Sequence, residues 1–417
     1  MRLLIAPDSF KGSLTALEAA LSMAYGACAV FDEAICDLAP IADGGEGTVD
    51  ALIAATAGTA RLNTVRGPLG RSVEARWGML GNGRTAVVEM AAASGLPLLG
   101  AGERDPLRAC TYGTGELINA ALAALHEHVP DRGSAVLSDP ASGSASDMAP
   151  RAASDAAGEQ PPTLILGIGG SATNDAGCGA LRALGARFLD ASGHELPPGG
   201  AALARLARID CSGLNPLLSR TRIRVACDVD NPLTGERGAS AVFGPQKGAT
   251  PAMARELDAA LECFADVARR TTGRDLAREP GAGAAGGLGA GMLFFAGAML
   301  EPGIDIVLEA TNLAFRASRV DLVLTGEGRS DFKTAYGKAP VGVAKIAKSH
   351  GKPVICISGA LGPGVESVHE QGVDALAGAV CSVASLEHCM ENAGQLLESA
   401  TERVCRTLRV GMRLGAL

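Results

Sequence analysis

The chain is poor in aromatic side chains and has no excess of positive charge. Aromatic residues make up 3% of its 417 residues, and the formal net charge is −8. A general nucleic-acid or anionic-membrane binder needs basic surface to neutralise phosphate groups. We therefore expect no nucleic-acid partner and no membrane partner, although a local basic pocket for a small anion stays open.

The chain also lacks a long apolar run and a paired-cysteine motif. Its one long uncharged stretch, residues 281–300, is too rich in glycine and alanine to favour a bilayer. None of the eleven cysteines forms a C-x-x-C pair, and their odd number favours free, buried thiols in a reducing compartment. The N-terminal apolar run is too short for a signal peptide. Together these absences predict a cytoplasmic protein.

Two familiar nucleotide-binding signatures are missing or misplaced. No G-x-x-x-x-G-K-[ST] sequence occurs, which excludes a conventional P-loop. The spacing Gly281-x-Gly283-x-x-Gly286 matches a dinucleotide fingerprint, but Pro280 precedes it where that fingerprint needs a strand. We therefore do not expect a nicotinamide cofactor, and any nucleotide must be held by other means.

Glycine is abundant instead, and it recurs in loops that follow short apolar runs. Such runs occupy residues 3–6, 36–41, 164–168, 223–226, 320–324 and 354–357, and helical segments follow most of the loops. Continuous apolar runs that alternate with helices are typical of parallel sheets covered on both faces. The sequence therefore predicts an α/β fold with largely parallel sheets, in which ligands bind beyond the carboxyl ends of the strands.

The regular alternation breaks between residues 64 and 90. A glycine–proline turn there separates segments that resemble short strands, at 73–80 and 85–90. We expect a second domain to begin near residue 65. Residues 129–162 are rich in Ala, Ser, Pro and Asp and show no periodicity, and we interpret them as a flexible insertion.

Four charged residues alternate after one of the apolar runs: Glu327, Arg329, Asp331 and Lys333. In an extended chain this spacing of two would point all four side chains to one side. A row of alternating acids and bases is expensive to bury. We therefore predict that the row faces a polyanionic ligand, with a metal ion as a further option.

Two other loops offer groups that bind anions or metal ions. Residues 169–175 combine two glycines, two hydroxyls and backbone amides ahead of a helix, as in an anion-binding nest. Asn174 or Asp175 could instead be a simple helix cap. Asp228 and Asn231 follow another apolar run and supply oxygen ligands that suit Mg²⁺, unless they only form a turn before Pro232.

Three further loops add charges. Asp43 and Glu46 lie at the expected start of a helix, and Lys11 could clamp a carboxylate or a phosphate or simply be solvated. The tight turn at 243–248 could present Gln246 and Lys247. Acids for metal or base chemistry, basic side chains and glycine loops are the mixture that phosphoryl transfer needs.

Together these loops resemble the bacterial-type (type 1) glycerate kinase family. The matching segments are Ala6-Pro-Asp-Ser-Phe-Lys-Gly-Ser, Ala42-Asp-Gly-Gly-Glu-Gly-Thr, Gly167-Ile-Gly-Gly-Ser-Ala-Thr-Asn-Asp, Cys227-Asp-Val-Asp-Asn-Pro-Leu, Phe243-Gly-Pro-Gln-Lys-Gly-Ala and Thr325-Gly-Glu-Gly-Arg. They follow the order of the family from residue 6 to beyond residue 340. The resemblance implies ATP-dependent phosphorylation of D-glycerate with Mg²⁺, and 2-phosphoglycerate is the favoured product.

The resemblance also implies a domain plan. Residues 1–65 and 290–417 would form a Rossmann- or flavodoxin-like α/β domain with a mostly parallel sheet. Residues 66–289 would form an inserted second α/β domain, with the active site in the cleft between the two. The break near residue 65 agrees with this plan.

The same resemblance suggests catalytic roles. Asp8 or Asp43 would orient or deprotonate the acceptor hydroxyl. Lys11 and Arg329 would hold the glycerate carboxylate or the transferring phosphoryl group.

Binding roles are predicted for two larger sets of residues. The Mg²⁺ ligands would be Asp228, Glu327 and Asp331. The residues expected to bind substrate or nucleotide are Ser9, Gly44, Gly45, Glu46, Gly169, Gly170, Ser171, Thr173, Asn174, Asp175, Asn231, Gln246, Lys247, Lys333 and Lys338.

Lys333 departs from the family, which usually carries Gln at this position. A lysine adds a charge and removes a hydrogen-bond acceptor. This departure leaves open an alternative function, in which the protein binds glycerate or a related hydroxy acid without catalysing a reaction. A homo-oligomer is also left open.

Overall fold

The computed structural model describes residues 1–127 and 161–415. The strands in this part of the chain are β1 (Arg2–Ile5), β2 (Ile35–Leu38), β3 (Thr59–Arg66), β4 (Ser72–Met79), β5 (Thr85–Glu89), β6 (Thr163–Gly167), β7 (Arg187–Leu189), β8 (Arg208–Asp210), β9 (Arg222–Ala226), β10 (Met299–Glu301), β11 (Leu322–Thr325), β12 (Arg329–Ser330), β13 (Val354–Ser358), β14 (Ala360–Leu361) and β15 (Ala375–Gly378). The α-helices are α1 (Ala16–Cys28), α2 (Thr48–Thr56), α3 (Ala91–Ser94), α4 (Tyr112–His126), α5 (Cys178–Ala183), α6 (Ala239–Phe243), α7 (Pro251–Thr272), α8 (Ala284–Phe295), α9 (Gly303–Ala310), α10 (Leu313–Ser318), α11 (Ala339–Ser349), α12 (Leu386–Glu391) and α13 (Ala393–Leu414).

The first sheet is built from the two ends of the chain. Its strand order is β15–β13–β11–β1–β2, and all neighbouring strands are parallel. In this register Leu4 of β1 lies between Val323 of β11 and Asp37 of β2. The parallel sheet predicted from the continuous apolar runs is confirmed here.

The second sheet is built from the middle of the chain. Its strand order is β10–β9–β6–β5–β4–β3; β5, β6, β9 and β10 are parallel, whereas β4 is antiparallel to both of its neighbours. The turn between β3 and β4 is closed by a hydrogen bond from the Gly67 amide to the Arg71 carbonyl. The antiparallel strands are the reason why the alternation in the sequence breaks at residues 64–90.

Helices separate and cover the two sheets. On one face of the first sheet, α1 and α13 pack against a core that includes Leu3 and Leu397. Its other face shares a core with the second sheet, in which Leu4 of β1, Val87 of β5 and Ile306 of α9 belong to one cluster. The outer face of the second sheet packs against α4 and α8. The two sheets therefore pack on opposite sides of one helical layer. This arrangement allows the carboxyl ends of the strands of both sheets to meet at one edge of the molecule.

Local sequence explains where two of the helices begin and bend. Thr15 caps α1, because its hydroxyl accepts from the Glu18 amide and the Glu18 carboxylate accepts from the Thr15 amide. In α8 the backbone is non-helical at residues 285–287. A Cβ on Gly286 would lie 2.0 Å from the Thr173 carbonyl oxygen, so this glycine allows close packing of two loops.

The sheets do not divide the chain at the predicted domain boundaries. β3 begins at Thr59 and β10 ends at Glu301, and both belong to the second sheet. Boundaries at 65/66 and 289/290 would assign most of β3 and all of β10 to the wrong sheet. The two-domain division itself stays a prediction, and the sheets favour boundaries near residues 58 and 302.

Three other sequence predictions concern the insertion at 129–162, membrane-spanning helices and the cysteine thiols. The flexible insertion at 129–162 lies outside the described residues apart from its last two positions. In the part of the chain that the structure describes, no helix has both the length and the apolar character to cross a membrane. All eleven cysteines are free, as predicted, but only Cys110, Cys178, Cys356 and Cys405 are buried.

Candidate active site

The loops that follow the strands of both sheets meet at one edge of the molecule. The loop after β2 approaches the second sheet so closely that a Cβ on Gly44 would lie 2.7 Å from the Ala226 Cβ. A Cβ on Gly303, at the start of α9, would lie 2.0 Å from the Asp43 carbonyl oxygen. These contacts leave no room for side chains, so glycine is required where the two sets of loops touch.

Asp8 lies in this meeting place and is 9% exposed. Burial and the neighbouring carboxylates of Asp43 and Glu327 raise the pKa of Asp8 to about 6. The Ser9 amide, which donates to Asp8 Oδ1 at 2.6 Å, and the Lys11 ammonium act in the opposite direction. A carboxyl group that titrates near neutral pH is suited to accept a proton from a substrate hydroxyl.

Asp228 extends the acidic cluster into the second sheet. Its Oδ1 accepts from the Gly303 amide at 2.9 Å, at the amino end of α9. Burial raises the pKa of Asp228, and the carboxylates of Asp43 and Asp305 raise it further. Asp43 therefore lies within electrostatic reach of both Asp8 and Asp228 and joins the acids of the two sheets.

A cleft of about 980 Å³ opens beside these acids. The predicted site residues that line it are Asp8, Ser9, Lys11 and Glu46. Its far wall is formed by α2 and by the side chains of Arg76 and Glu89. The cleft is large enough for a nucleotide or for a small acid together with part of a nucleotide.

Glu89 was missed by the sequence prediction. It ends β5, it is largely buried, and its Oε1 accepts from the Val49 amide at 2.8 Å, in the first turn of α2. Burial raises the pKa of Glu89 against the effect of the Val49 and Gly47 amides. The signal was present, because an acid directly after an apolar strand is the same pattern that pointed to Asp8 and Asp228.

The interpretation of residues 327–333 as a one-sided row is wrong. The chain is extended only as far as Asp331, and a 3₁₀ turn follows from Phe332 to Tyr336. Glu327 is consequently buried, whereas the Arg329 side chain is 64% exposed. Lys333 is exposed, with its ammonium 5.8 Å from the centre of the Phe332 ring.

Glu327 is held by the protein itself. Its Oε1 accepts from Ser330 at 3.0 Å and from Thr334 at 2.6 Å, and its Oε2 lies 3.0 Å from Lys338 Nζ. Asp331 caps the following turn by accepting from the Lys333 amide. Both carboxylates therefore have structural partners.

The predicted metal set is not brought together. Asp228 has Asp43 and Asp305 as its acidic neighbours, rather than Glu327 or Asp331. Among residues 1–127 and 161–415, no group of three or more His, Cys, Asp and Glu side chains is arranged to hold a metal ion. The pairs formed by Asp43 with Asp8 and with Asp228 are the better candidates, because Mg²⁺ typically binds one or two carboxylates and completes its shell with water and phosphate.

The loop at 169–175 is exposed at its beginning and buried at its end. Gly169 and Gly170 are exposed beside the loop after β2, and Ser171 is 7% exposed. Thr173 and Asn174 are fully buried. The two glycines are therefore accessible to a ligand, whereas Thr173 and Asn174 are packed against Gly286. The Thr173 hydroxyl and the Asn174 side-chain oxygen have no partner among the described residues, and the ligand roles of residues 173–175 stay predictions.

Asp175 and Lys247 are structural in this arrangement. The Asp175 carboxylate accepts from Thr111 and from the Gly177 and Gly179 amides, and burial raises its pKa. Lys247 is 1% exposed and donates to the Thr173 carbonyl at 2.7 Å. The predicted ligand role of Lys247 is contradicted, because its amine points into the protein.

The remaining predicted residues lie on loops around the cluster. Asn231 donates its side-chain amide to the Arg237 carbonyl, which closes its own loop. The Gln246 side chain is exposed, while its carbonyl accepts from Arg104. Gly45 donates its amide to Asp43 Oδ1 at 3.1 Å. The ligand roles of these three residues stay predictions.

Comparisons with known proteins agree over nearly the whole chain. A sequence model of the glycerate kinase family matches residues 3–130 and 151–409. The chain belongs to the glycerate kinase family. It is therefore a kinase, and membership implies the use of ATP. The alternative of a non-catalytic binding protein is not favoured.

Individual members of the family are similar in length as well as in sequence. The chain is 47% identical to the glycerate kinase of Bacillus subtilis (strain 168) over 98% of each protein. It is 46% identical to the glycerate 2-kinase of Escherichia coli (strain K12) over 99% of each. A crystal structure described as that of glycerate kinase 2 from Salmonella typhimurium LT2 matches with a TM-score of 0.83 and 44% identity, over 99% of this chain and 100% of that one.

Proposed function

We propose that this protein transfers the γ-phosphoryl group of ATP to D-glycerate and forms 2-phosphoglycerate and ADP, with Mg²⁺. The observation that carries the proposal is the cluster of Asp8, Asp43 and Asp228 beside Lys11, at the edge where the strand ends of both sheets meet. Two of these carboxyl groups have a raised pKa, as expected where acids are held ready for proton transfer or for a cation.

In this proposal Asp8 accepts the proton of the attacking hydroxyl. Its pKa is raised to about 6, so it is ionised but still basic when the enzyme works. Lys11 lies within electrostatic reach and binds the glycerate carboxylate, which fixes the hydroxyl relative to Asp8. Arg329, whose guanidinium is exposed, holds the transferring phosphoryl group.

The glycine loops supply backbone amides to the phosphates. Gly44, Gly47 and Gly170 have positive φ angles of 88°, 88° and 72°, a backbone conformation that recurs in anion-binding turns. At Gly47 nothing lies within 4 Å of the position that a Cβ would take, so a phosphate oxygen can approach the backbone there. Glu46 and Ser9 line the same cleft and contribute polar contacts to the substrates.

The residues present fit a divalent cation at Asp43. The Asp43 carboxylate raises the pKa of both Asp8 and Asp228, so a cation bound between these acids would relieve their repulsion. Asp43 with Asp8 or with Asp228 would hold Mg²⁺. The ion would supply charge neutralisation at the phosphates.

A coupled assay of ADP release with D-glycerate, ATP and Mg²⁺ tests the proposal. We expect turnover that depends on D-glycerate and stops when the metal is chelated. Binding of D-glycerate without ADP release would favour the binding-protein alternative instead. Enolase added alone should consume the product directly, whereas a requirement for phosphoglycerate mutase would show that the 3-product is made. The similarity to a glycerate 2-kinase supports the first outcome.

A further inference from the structure

A second cavity, of about 560 Å³, lies at the β3 edge of the second sheet. Its walls are the turn at 66–70, the segment at 108–112 before α4, and the segments at 182–187 and 195–198 that follow α5. It shares no lining residue with the cleft beside Asp8. We call this cavity the arginine pocket, because four arginines line it: Arg66, Arg108, Arg182 and Arg187.

The acids around the arginine pocket do not balance these charges. Glu195 is the one acid among its lining residues, and its carboxylate lies 3.1 Å from Arg187 and 3.8 Å from Arg182. Two acids outside the lining make only long contacts, Asp210 at 3.8 Å from Arg187 and Glu116 at 3.9 Å from Arg66. Arginines at such distances keep donors available for another partner.

Arg108 is the clearest case. It is exposed, it lines the cavity, and its guanidinium makes no hydrogen bond or ion pair with any residue in the described parts of the chain. Arg182, in contrast, already donates to the Leu196 carbonyl. The pocket therefore contains one fully available guanidinium beside three that are held in place.

Two further features favour an anion. The Arg66 guanidinium lies 4.2 Å from the centre of the Tyr112 ring, which fixes it as a flat donor at the wall. Tyr112 also begins α4, a helix of 15 residues whose amino end carries partial positive charge. The Asp175 carboxylate accepts from the Thr111 amide and hydroxyl at this end and offsets part of that charge, so the arginines are the main attraction for an anion.

We propose that the arginine pocket binds a small organic phosphate, at a site separate from the catalytic cleft. Guanidinium groups match phosphate oxygens with paired hydrogen bonds, and an available Arg108 opposite a fixed Arg66 offers contacts from two sides. A volume of about 560 Å³ suits a phosphorylated metabolite or a nucleotide rather than a bare phosphate ion.

Titration calorimetry with pyrophosphate tests this site. The catalytic cleft is first filled with D-glycerate and a non-hydrolysable ATP analogue, so that only a separate site remains. We expect pyrophosphate to bind with one-to-one stoichiometry and an affinity that falls with salt. Arg108→Ala should weaken this binding at least tenfold, and Arg108→Ala with Arg187→Ala should weaken it more. Arg255→Ala, which removes an exposed guanidinium on α7, is the matched control and should change it less than twofold.

The outcomes are distinct. Absence of binding while the cleft is filled, or an Arg108→Ala affinity equal to that of the control, would overturn the proposal. A rise in the KM for ATP in Arg108→Ala, with pyrophosphate competing against ATP, would instead make the pocket part of the catalytic site and overturn its separateness. 2-Phosphoglycerate and ADP, titrated in the same way, identify which class of phosphate is preferred. Because the readout is binding without turnover, failure of the proposed kinase activity would not be mistaken for failure of the pocket.

Discussion

Lys338 Nζ lies 3.0 Å from Glu327 Oε2, and this ion pair joins the start of α11 to the loop after β11. Glu327 is 7% exposed, so its carboxylate depends on the pair and on the hydroxyls of Ser330 and Thr334 for stabilisation. Part of the charged motif at residues 327–333 therefore has a structural role, because Glu327 holds the loop after β11 in place beside the acidic cluster.

Removal of either partner of this pair should destabilise the protein. Lys338→Met leaves a buried carboxylate without its cation, and Glu327→Gln removes the negative charge and one of the two acceptor oxygens; we expect each to lower the free energy of unfolding by about 1–3 kcal/mol. The double variant should lose less than the sum of the two, which chemical denaturation of all four proteins measures. Strict additivity would show that the pair is not coupled. If the KM for ATP is raised in Lys338→Met and stays raised in the double variant, Lys338 also contacts the nucleotide.

Asp8→Asn should abolish activity while it stabilises the fold. The folded protein raises the pKa of Asp8 to about 6 from an ordinary value of 3.8, so above pH 6 the ionised carboxylate costs folding free energy. Asparagine removes this cost, and the free energy of unfolding at pH 7 should rise by about 1–3 kcal/mol. Below pH 3.8 the carboxyl is protonated in both states and the gain should vanish.

Two measurements check this prediction. The kcat of Asp8→Asn should fall by at least roughly 100-fold, as expected for the loss of a general base. Denaturation at pH 4 and pH 7 tests the stability, with the exposed Asp32→Asn as a control that should show no pH-dependent gain. In the wild type, kcat/KM should fall as the pH drops below about 6. Retention of full activity by Asp8→Asn would exclude Asp8 as the base and leave Asp43.

Lys247 should make stability increase with pH above neutral. Burial lowers the pKa of Lys247 to about 7 from 10.5, against the attraction of Asp175. Between pH 7 and 10.5 the unfolded chain binds the proton more readily than the folded protein, so the free energy of unfolding rises by up to about 1.4 kcal/mol per pH unit. Below pH 7 both states are protonated and this contribution is constant.

Lys247→Met should remove that pH dependence. Denaturation at pH 7 and pH 9 should show a smaller rise for the variant than for the wild type. Lys345→Met, at an exposed position of α11, should behave as the wild type does. If the free energy of unfolding rises equally with pH in all three proteins, the Lys247 amine is accessible to solvent. That result would contradict the burial that its hydrogen bond to Thr173 indicates.

Lys333→Gln should keep activity within about threefold of the wild type. The Lys333 side chain is exposed, rests over Phe332, and makes no side-chain hydrogen bond or ion pair with another described residue. Exposed contacts of this kind contribute little free energy. Steady-state kinetics for ATP and D-glycerate measure the effect, with Lys345→Gln as the control. A complete loss of activity would show that the site of this protein depends on the lysine.

Some features could be read directly from the sequence. Apolar runs without alternation predicted parallel strands because both faces of such strands are buried, and β1, β6, β11 and β13 are found where the runs are. The positions of Asp8 and Asp228 after strands likewise placed them at the edge where the loops meet.

Other features depended on contacts between distant segments. Thr173, Asn174 and Lys247 have the composition of a ligand loop, yet segments more than 70 residues apart bury them against each other. The extended row at 327–333 failed because the turn at 332–336 reverses the chain there. Sequence spacing gives the direction of a side chain only within one regular element.

The sequence by itself determined the α/β class, the family and the set of loops that form the site. These three properties follow from local sequence patterns and from motifs that occur in the same order along the chain as in the family. The tertiary structure decided which acids have structural hydrogen-bond partners and which are available for catalysis or for binding a cation. Glu327 and Asp175 are satisfied by their neighbours, whereas Asp8 is buried beside Asp43 with little compensation. This distinction depends on burial and on partners from other segments, and both exist only once the two sheets are packed together.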